Sequence, residues 1–178
     1  MKMYRLLFSV GKDRPGIVHD VSTVLFDHGA NIEDSRMAAM GGRFGIMTLF
    51  SCEAVDLDKI RAGLEGLKKA GLETSLHEAE DPTVTSLPAA LPLNVEVTSM
   101  DHPGIVKKVV RILHNHQVNI RSLNTRVTRA PLSGAPLFDL SLEAAVPEEK
   151  PILVVKEELT ALAGELNLDL AFKKNSPS

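Results

Sequence analysis

One cysteine, one tyrosine and no tryptophan occur in 178 residues, and aromatic side chains make up 4% of them. A lone Cys52 excludes an intramolecular disulfide and points to a reducing compartment. So few aromatics leave little with which to stack unpaired bases. No apolar run nears the ~20 residues that a membrane-spanning helix needs. The early run from Tyr4 to Val10 is too short for the core of a secretion signal. A net charge of −3 and a pI of about 6.1 lack the basic footprint of a nucleic-acid binder. The expectation is a cytoplasmic protein that contacts neither nucleic acid nor membrane directly. Catalytic spacings are missing too. There is no Cys-x-x-Cys, no His-Glu-x-x-His, no phosphate-cradling glycine loop and no evident nucleophile–base pair. No cofactor and no metal are expected, and His114 and His116, two apart on a helix, would face different ways.

What is present is a repeat. Residues 13–32 read DRPGIVHDVSTVLFDHGANI and residues 101–120 read DHPGIVKKVVRILHNHQVNI, at a constant offset of 88. Ten of these twenty positions are identical, including Asp13/Asp101, Pro15/Pro103, Gly16/Gly104 and Asn31/Asn119. The chain therefore carries one unit twice. Residues 80–92 hold three prolines among small polar residues and read as a stiff linker. The expected organisation is a first domain over 1–80, a linker over 81–92 and a second domain over 93–174.

Each unit shows the same order of elements. In the first, Tyr4 to Val10 reads as a strand, and Pro15 suits the first turn of a helix. Ile17, Val21, Val24 and Leu25 follow at helical spacing, with Gly29 as a left-handed cap. Strands are expected over 31–40 and 44–53, joined by a Gly41-Gly42 hairpin. Asp56 or Asp58 can cap a second helix that ends at Gly71, and 72–77 is a last strand. In the second unit strands are expected at 93–98, 118–128, 137–145 and 166–172, and helices at 103–116 and 148–164. A longer loop over 129–136 replaces the tight hairpin. The pattern is βαββαβ. It defines an α+β fold of two ferredoxin-like modules, each a four-stranded antiparallel sheet with two helices on one face.

Asp-x-Pro-Gly-Ile-Val at the turn into the first helix, with Asn-Ile opening the second strand, resembles the ACT domain family in both copies. Length, tandem arrangement and the longer second hairpin resemble its glycine cleavage system transcriptional repressor group. That resemblance implies a non-catalytic regulator that senses glycine or a similar small amino acid. It implies control of transcription through a LysR-type activator, and a homo-oligomer. It also implies a ligand site at an interface between modules, formed by Asp13, Gly16 and Asn31 and by Asp101, Gly104 and Asn119.

The residue types suit such a ligand. A helix N-terminus presents unpaired amides and the positive end of the dipole to a carboxylate. Glycine allows close approach, an aspartate can meet an ammonium, and an asparagine offers both donors and an acceptor. Helix capping suits the same aspartates and turn duty the same asparagines, so both roles stay open. Gln117-Val118 in place of Gly29-Ala30 implies a differently shaped corner in the second unit. Residues 102–129 carry Lys107, Lys108, Arg111, Arg121, Arg126 and Arg129 with no acid, whereas the matching first-unit stretch holds Asp20, Asp27, Glu33 and Asp34. These are solvated faces or surfaces for a partner protein or a second chain. Two other roles fit the composition: regulatory subunit of an amino-acid biosynthetic enzyme, and interaction module without a ligand.

Overall fold

The computed structural model describes residues 1–84, 89–131 and 133–173, and the chain divides into two compact units at 86/87. Part of the expected linker (85–88), Leu132 of the long hairpin and Lys174 lie outside the described residues.

The first unit runs β1 (Lys2–Lys12), α1 (Ile17–Asp27), β2 (Asn31–Met40), β3 (Arg43–Glu53), α2 (Leu57–Lys68) and β4 (Leu72–Ala79). The second runs β5 (Ala90–Met100), α3 (Ile105–Asn115), β6 (Asn119–Arg129), β7 (Pro136–Pro147), α4 (Ile152–Leu166) and β8 (Asp169–Lys173). The antiparallel sheets have strand order β2-β3-β1-β4 and β6-β7-β5-β8. Both are the βαββαβ arrangement expected from the repeat.

Alternation along the strands places one helical layer on one sheet face. In the first unit Leu7, Ile46 and Phe50 of the sheet pack with Ile17, Val21 and Leu25 of α1 and Ile60 and Leu64 of α2. In the second, Val95, Leu140 and Leu142 meet Val109, Leu113, Val155 and Leu159. The opposite faces differ. Leu6, Phe8, Val10, Met47 and Leu49 make the first apolar, while Glu96, Thr98, Asp139 and Ser141 make the second polar. The layer facing the helices differs too. Ser9 and Thr48 are buried there with hydroxyls that have no partner among the described residues. Val97 and Leu142 hold the matching places in the second unit.

Several boundaries move from their expected places. Pro15 and Pro103 stand in the turn, ahead of the helix, because Gly16 and Gly104 occupy the N-cap position in left-handed conformation (φ 90° and 98°). The second helix is approached through a 3-10 turn at Ala54–Asp56. Asp56 makes no side-chain cap there; its carboxylate accepts from Lys59 Nζ at 2.8 Å. The last helix starts at Ile152 rather than Glu148, since Pro147 ends β7 and Pro151 provides the extended N-cap. It runs to Leu166, where Asn167 turns left-handed (φ 53°). β5 opens at Ala90, pairing through Pro92 with 145–147, so three residues of the expected linker are strand. The Gly41-Gly42 hairpin forms as expected, both residues having positive φ.

Candidate ligand site at the strand-to-helix turns

The turn after β1 is fixed by its neighbour hairpin. The Asp13 amide donates to the Gly42 carbonyl at 3.0 Å, and the Asp101 amide to the Pro136 carbonyl at 3.1 Å. The first helical bonds run from Asp20 to Gly16 and from Lys108 to Gly104. Helical geometry therefore leaves the amides of the first residues of α1 and α3 without intrahelical acceptors. Neither Asp13 nor Asp101 caps its helix, and neither carboxylate has a partner among the described residues. Gly16 and Gly104 are required by backbone conformation before any ligand is considered, because a side chain at φ near 90° is strained.

The two turns are not equivalent. In the first unit Arg14 folds over the turn: its Nη2 donates to Asp20 at 2.7 Å and its Nη1 to the Pro15 carbonyl at 3.2 Å. A Cβ on Gly16 would stand 3.7 Å from that guanidinium. In the second unit Arg14 is replaced by His102 and Asp20 by Lys108, which turns away to Glu165 at 3.6 Å on α4. Nothing lies within 4 Å of a Cβ built on Gly104. A surface pocket of about 780 Å³ opens there, between Asp101, Gly104, Val106, Lys107, Val110 and Arg111, with His102, His114 and Phe138 completing its wall. Lys107 and Arg111 make no ion pair or hydrogen bond among the described residues.

Asp101 and Gly104 thus share a pocket, and Asp13 and Gly16 share a turn covered by Arg14. The asparagines are elsewhere. Asn31 pairs with Ser51, which pairs with Tyr4, whereas Asp13 follows Lys12 at the other end of the same strand. Eight residues at about 3.3 Å each separate them, roughly 25 Å. Asn119, opposite Ala145 and Pro92, is equally remote from Asp101. Within one module the turn and the asparagine do not meet. Asn31 bonds to Glu33, whose carboxylate also accepts from Ser51 Oγ at 2.6 Å and lies 3.4 Å from Lys2 Nζ. These bonds, that from Ser51 foremost, hold the Glu33 carboxyl below its ordinary value. Arg121 and Ala145 stand in the places of Glu33 and Ser51 in the second unit, so Asn119 lacks that network. The backbone beside it nevertheless follows the first unit: Gln117 takes the left-handed conformation of Gly29 (φ 57° against 73°), so the corner keeps its shape.

From the letters alone His102 and Phe138 carry no role, His114 reads as a solvated histidine, and Lys107 and Arg111 read as a solvated face or a surface for a partner. The spacing of 107, 111 and 114 along one helix face, inside the acid-free stretch, was the available signal. A second hollow of about 360 Å³ lies on the open face of the second sheet near Glu96, Thr98, Arg126 and Asp139. Its acids are engaged: Glu96 with Lys173 and Asp139 with Thr98 Oγ1 at 2.9 Å. Among the described residues no three His, Cys, Asp or Glu side chains group as metal ligands, and His116 pairs with Glu158 at 2.9 Å. Burial pushes the Cys52 thiol up, against the opposing pull of Arg5. No helix among the described residues is long and apolar enough to cross a membrane.

Comparison with known proteins gives a consistent result. Residues 6–77 and 94–164 each match the profile of the ACT domain. The glycine cleavage system transcriptional repressor of Escherichia coli (strain K12) is 27% identical over 164 residues, 92% of this chain and 86% of that protein. A crystal structure of a protein of unknown function from Galdieria sulphuraria superposes with a TM-score of 0.84 at 30% identity, covering 99% of this chain and all of the other. A candidate glycine cleavage system transcriptional repressor superposes with a TM-score of 0.70 at 26% identity, covering 98% and 99%.

Proposed function

Because the chain belongs to the ACT-domain family, with two ACT domains in tandem, we propose that it is a non-catalytic, amino-acid-sensing regulator. Its ligand is a small amino acid such as glycine. Its output is control of glycine cleavage genes through a protein partner, a LysR-type activator in the resembled group. Similarity along most of the chain to a glycine cleavage system transcriptional repressor supports that output.

The observation that carries the reading is the open turn of the second unit. The free amides at the start of α3 and the cations of Lys107 and Arg111 suit a carboxylate. The unpartnered carboxylate of Asp101 suits an ammonium. The first turn, occupied by Arg14, is the weaker site. A ligand that also touches an asparagine draws it from another module, since its own is some 25 Å away, as the strand spacing dictates.

Calorimetric titration with glycine, serine and the branched amino acids tests this. One of them should bind saturably, at one site per chain. Asp101→Ala should weaken it about 10–100-fold, the scale of a lost charge-assisted bond, while Asp13→Ala should leave it nearly intact. Absence of heat with every amino acid, or unchanged affinity in Asp101→Ala, contradicts the reading.

A further inference from the structure

The helix-facing layer of the first sheet is polar where that of the second is apolar. Ser9 and Thr48, 4% and 0% exposed, stand there with hydroxyls that have no partner among the described residues. Strand pairing sets Thr74 opposite Ser9 and Cys52 opposite Met3 in the same layer. Arg5 belongs to it as well, its side chain 12% exposed. Its Nη1 donates to the Tyr4 carbonyl at 2.8 Å, and its Nη2 lies 3.6 Å from the largely solvated Glu78. Its buried Nε has no partner among the described residues. The second unit holds Leu93, Val97, Leu142, Val146 and Leu170 at the places of Arg5, Ser9, Thr48, Cys52 and Thr74. All five differences act in one direction. A buried hydroxyl or guanidinium N–H that loses water without gaining a partner costs stability, and a leucine or valine in its place adds apolar burial. The cores differ accordingly. Among the described residues eighteen apolar side chains are buried in the second cluster and ten in the first, Cys52 included. The five-residue β8, against eight residues in β4, and the left-handed Gln117 work the other way, but they weaken an edge and one turn rather than the core.

We infer that the first unit opens as a cooperative element while the second stays folded, so that the first is the labile half of the chain and the second its scaffold. Proteins open in such elements, each with its own free energy, and this chain divides into two units at 86/87. The two sheets share no ladder, so the hydrogen bonds of one outlast the loss of the other. Opening parts α1 and α2 from their sheet and uncovers Cys52, the one cysteine of the chain, which is 4% exposed in the closed unit. The polar layer is thus a conformational device: it holds one half of the molecule close to opening without loosening the other. Whatever binds only the closed first unit shifts this equilibrium by its own affinity.

Two probes read this on the full-length chain without added amino acids. Hydrogen exchange compares the core amides of β3, residues 46–50, with those of β7, residues 140–144. The β7 amides should be protected about 30-fold more strongly or better, the scale of two unpartnered hydroxyls. A maleimide, at concentrations where labelling stays proportional to reagent, reads the same opening through Cys52. Burial opposes ionisation of that thiol, so it reacts only once uncovered. Labelling should outpace β7 exchange, each rate taken relative to its unprotected value. Thr48→Val and Ser9→Ala each remove a hydroxyl without adding bulk. Each should slow Cys52 labelling and β3 exchange about 10-fold and leave 140–144 as in wild type. Val97→Ser should do the converse, speeding β7 exchange about 10-fold or more with Cys52 labelling unchanged. Equal protection of the two units, labelling that only keeps pace with β7 exchange, or hydroxyl removal that leaves labelling unchanged overturns the inference. The wild-type comparison needs no variant, so it stands even where a substitution prevents folding. None of these results bears on the calorimetric test of sensing.

Discussion

Gln117 carries backbone strain that its counterpart avoids. It sits at φ 57° after α3, where Gly29 sits at φ 73° after α1. A residue with a Cβ costs about 1–2 kcal/mol in that conformation, whereas glycine adopts it freely. Glycine also raises the entropy of the unfolded chain, which offsets part of the gain. Gln117→Gly should therefore raise stability by roughly 0.5–1 kcal/mol, the difference of those two effects. Urea denaturation followed by circular dichroism reads this as a higher midpoint with an unchanged slope. A lower midpoint would mean that the glutamine side chain contributes contacts larger than the backbone strain. The same residue shows a limit of reading letters alone. Gln-Val for Gly-Ala suggests a different corner, but the hydrogen bonds Ala30 to Leu25 and Val118 to Leu113, both 2.9 Å, close the two helices identically.

At the scale of elements, the contact between α1 and α2 is set by one missing side chain. A Cβ built on Gly63 would stand 2.7 Å from Val24 Cγ1 and 3.3 Å from His28 Nε2. Alanine is worth up to about 1 kcal/mol over glycine in a helix interior. Here that preference loses, because Val24 is β-branched, stiff at χ1 and packed against the core, so the helices must separate. Gly63→Ala should lower stability by about 1–2 kcal/mol, the usual scale of overpacking, whereas Gly66→Ala, with open space around it, should raise it slightly. Thermal melts of the two variants side by side check both signs. Periodicity announced these helices and the strands between them, since Ile17, Val21 and Leu25 mark one face as plainly as Leu93, Val95 and Val97 do. It could not announce their ends. The turn prolines 15 and 103 fall outside their helices because a left-handed glycine intervenes, and α4 starts late because Pro151 extends the chain before it.

For the whole molecule, an internal repeat makes the fold legible and the site less so. Identical residues at Asp13/Asp101 and Gly16/Gly104 suggest two equal turns, yet the residues around them differ. Arg14 and Asp20 close the first turn, and His102 and Lys108, the latter drawn to Glu165, leave the second open. Asn31 and Asn119 looked like neighbours of those turns because both open a strand next to the first helix. Only strand pairing shows that this is the strand's far end. The glycines shared by the copies meet backbone demands, and on the proposed reading the residues around them that differ make the two turns unequal. If so, a saturating amino acid protects one unit and not the other. Ligand that binds only the native state suppresses opening in proportion to its occupancy, about 2.7 kcal/mol at a hundredfold excess over its dissociation constant. That gain is confined to the cooperative unit it touches when the units open independently. Hydrogen exchange read by mass spectrometry should then show slowed exchange at the start of α3, through 104–108 and into its core neighbours on β7. Peptides from α1 and the first turn should exchange as they do without ligand. Equal protection of 16–20 and 104–108 would show that Arg14 swings aside and that both turns are occupied.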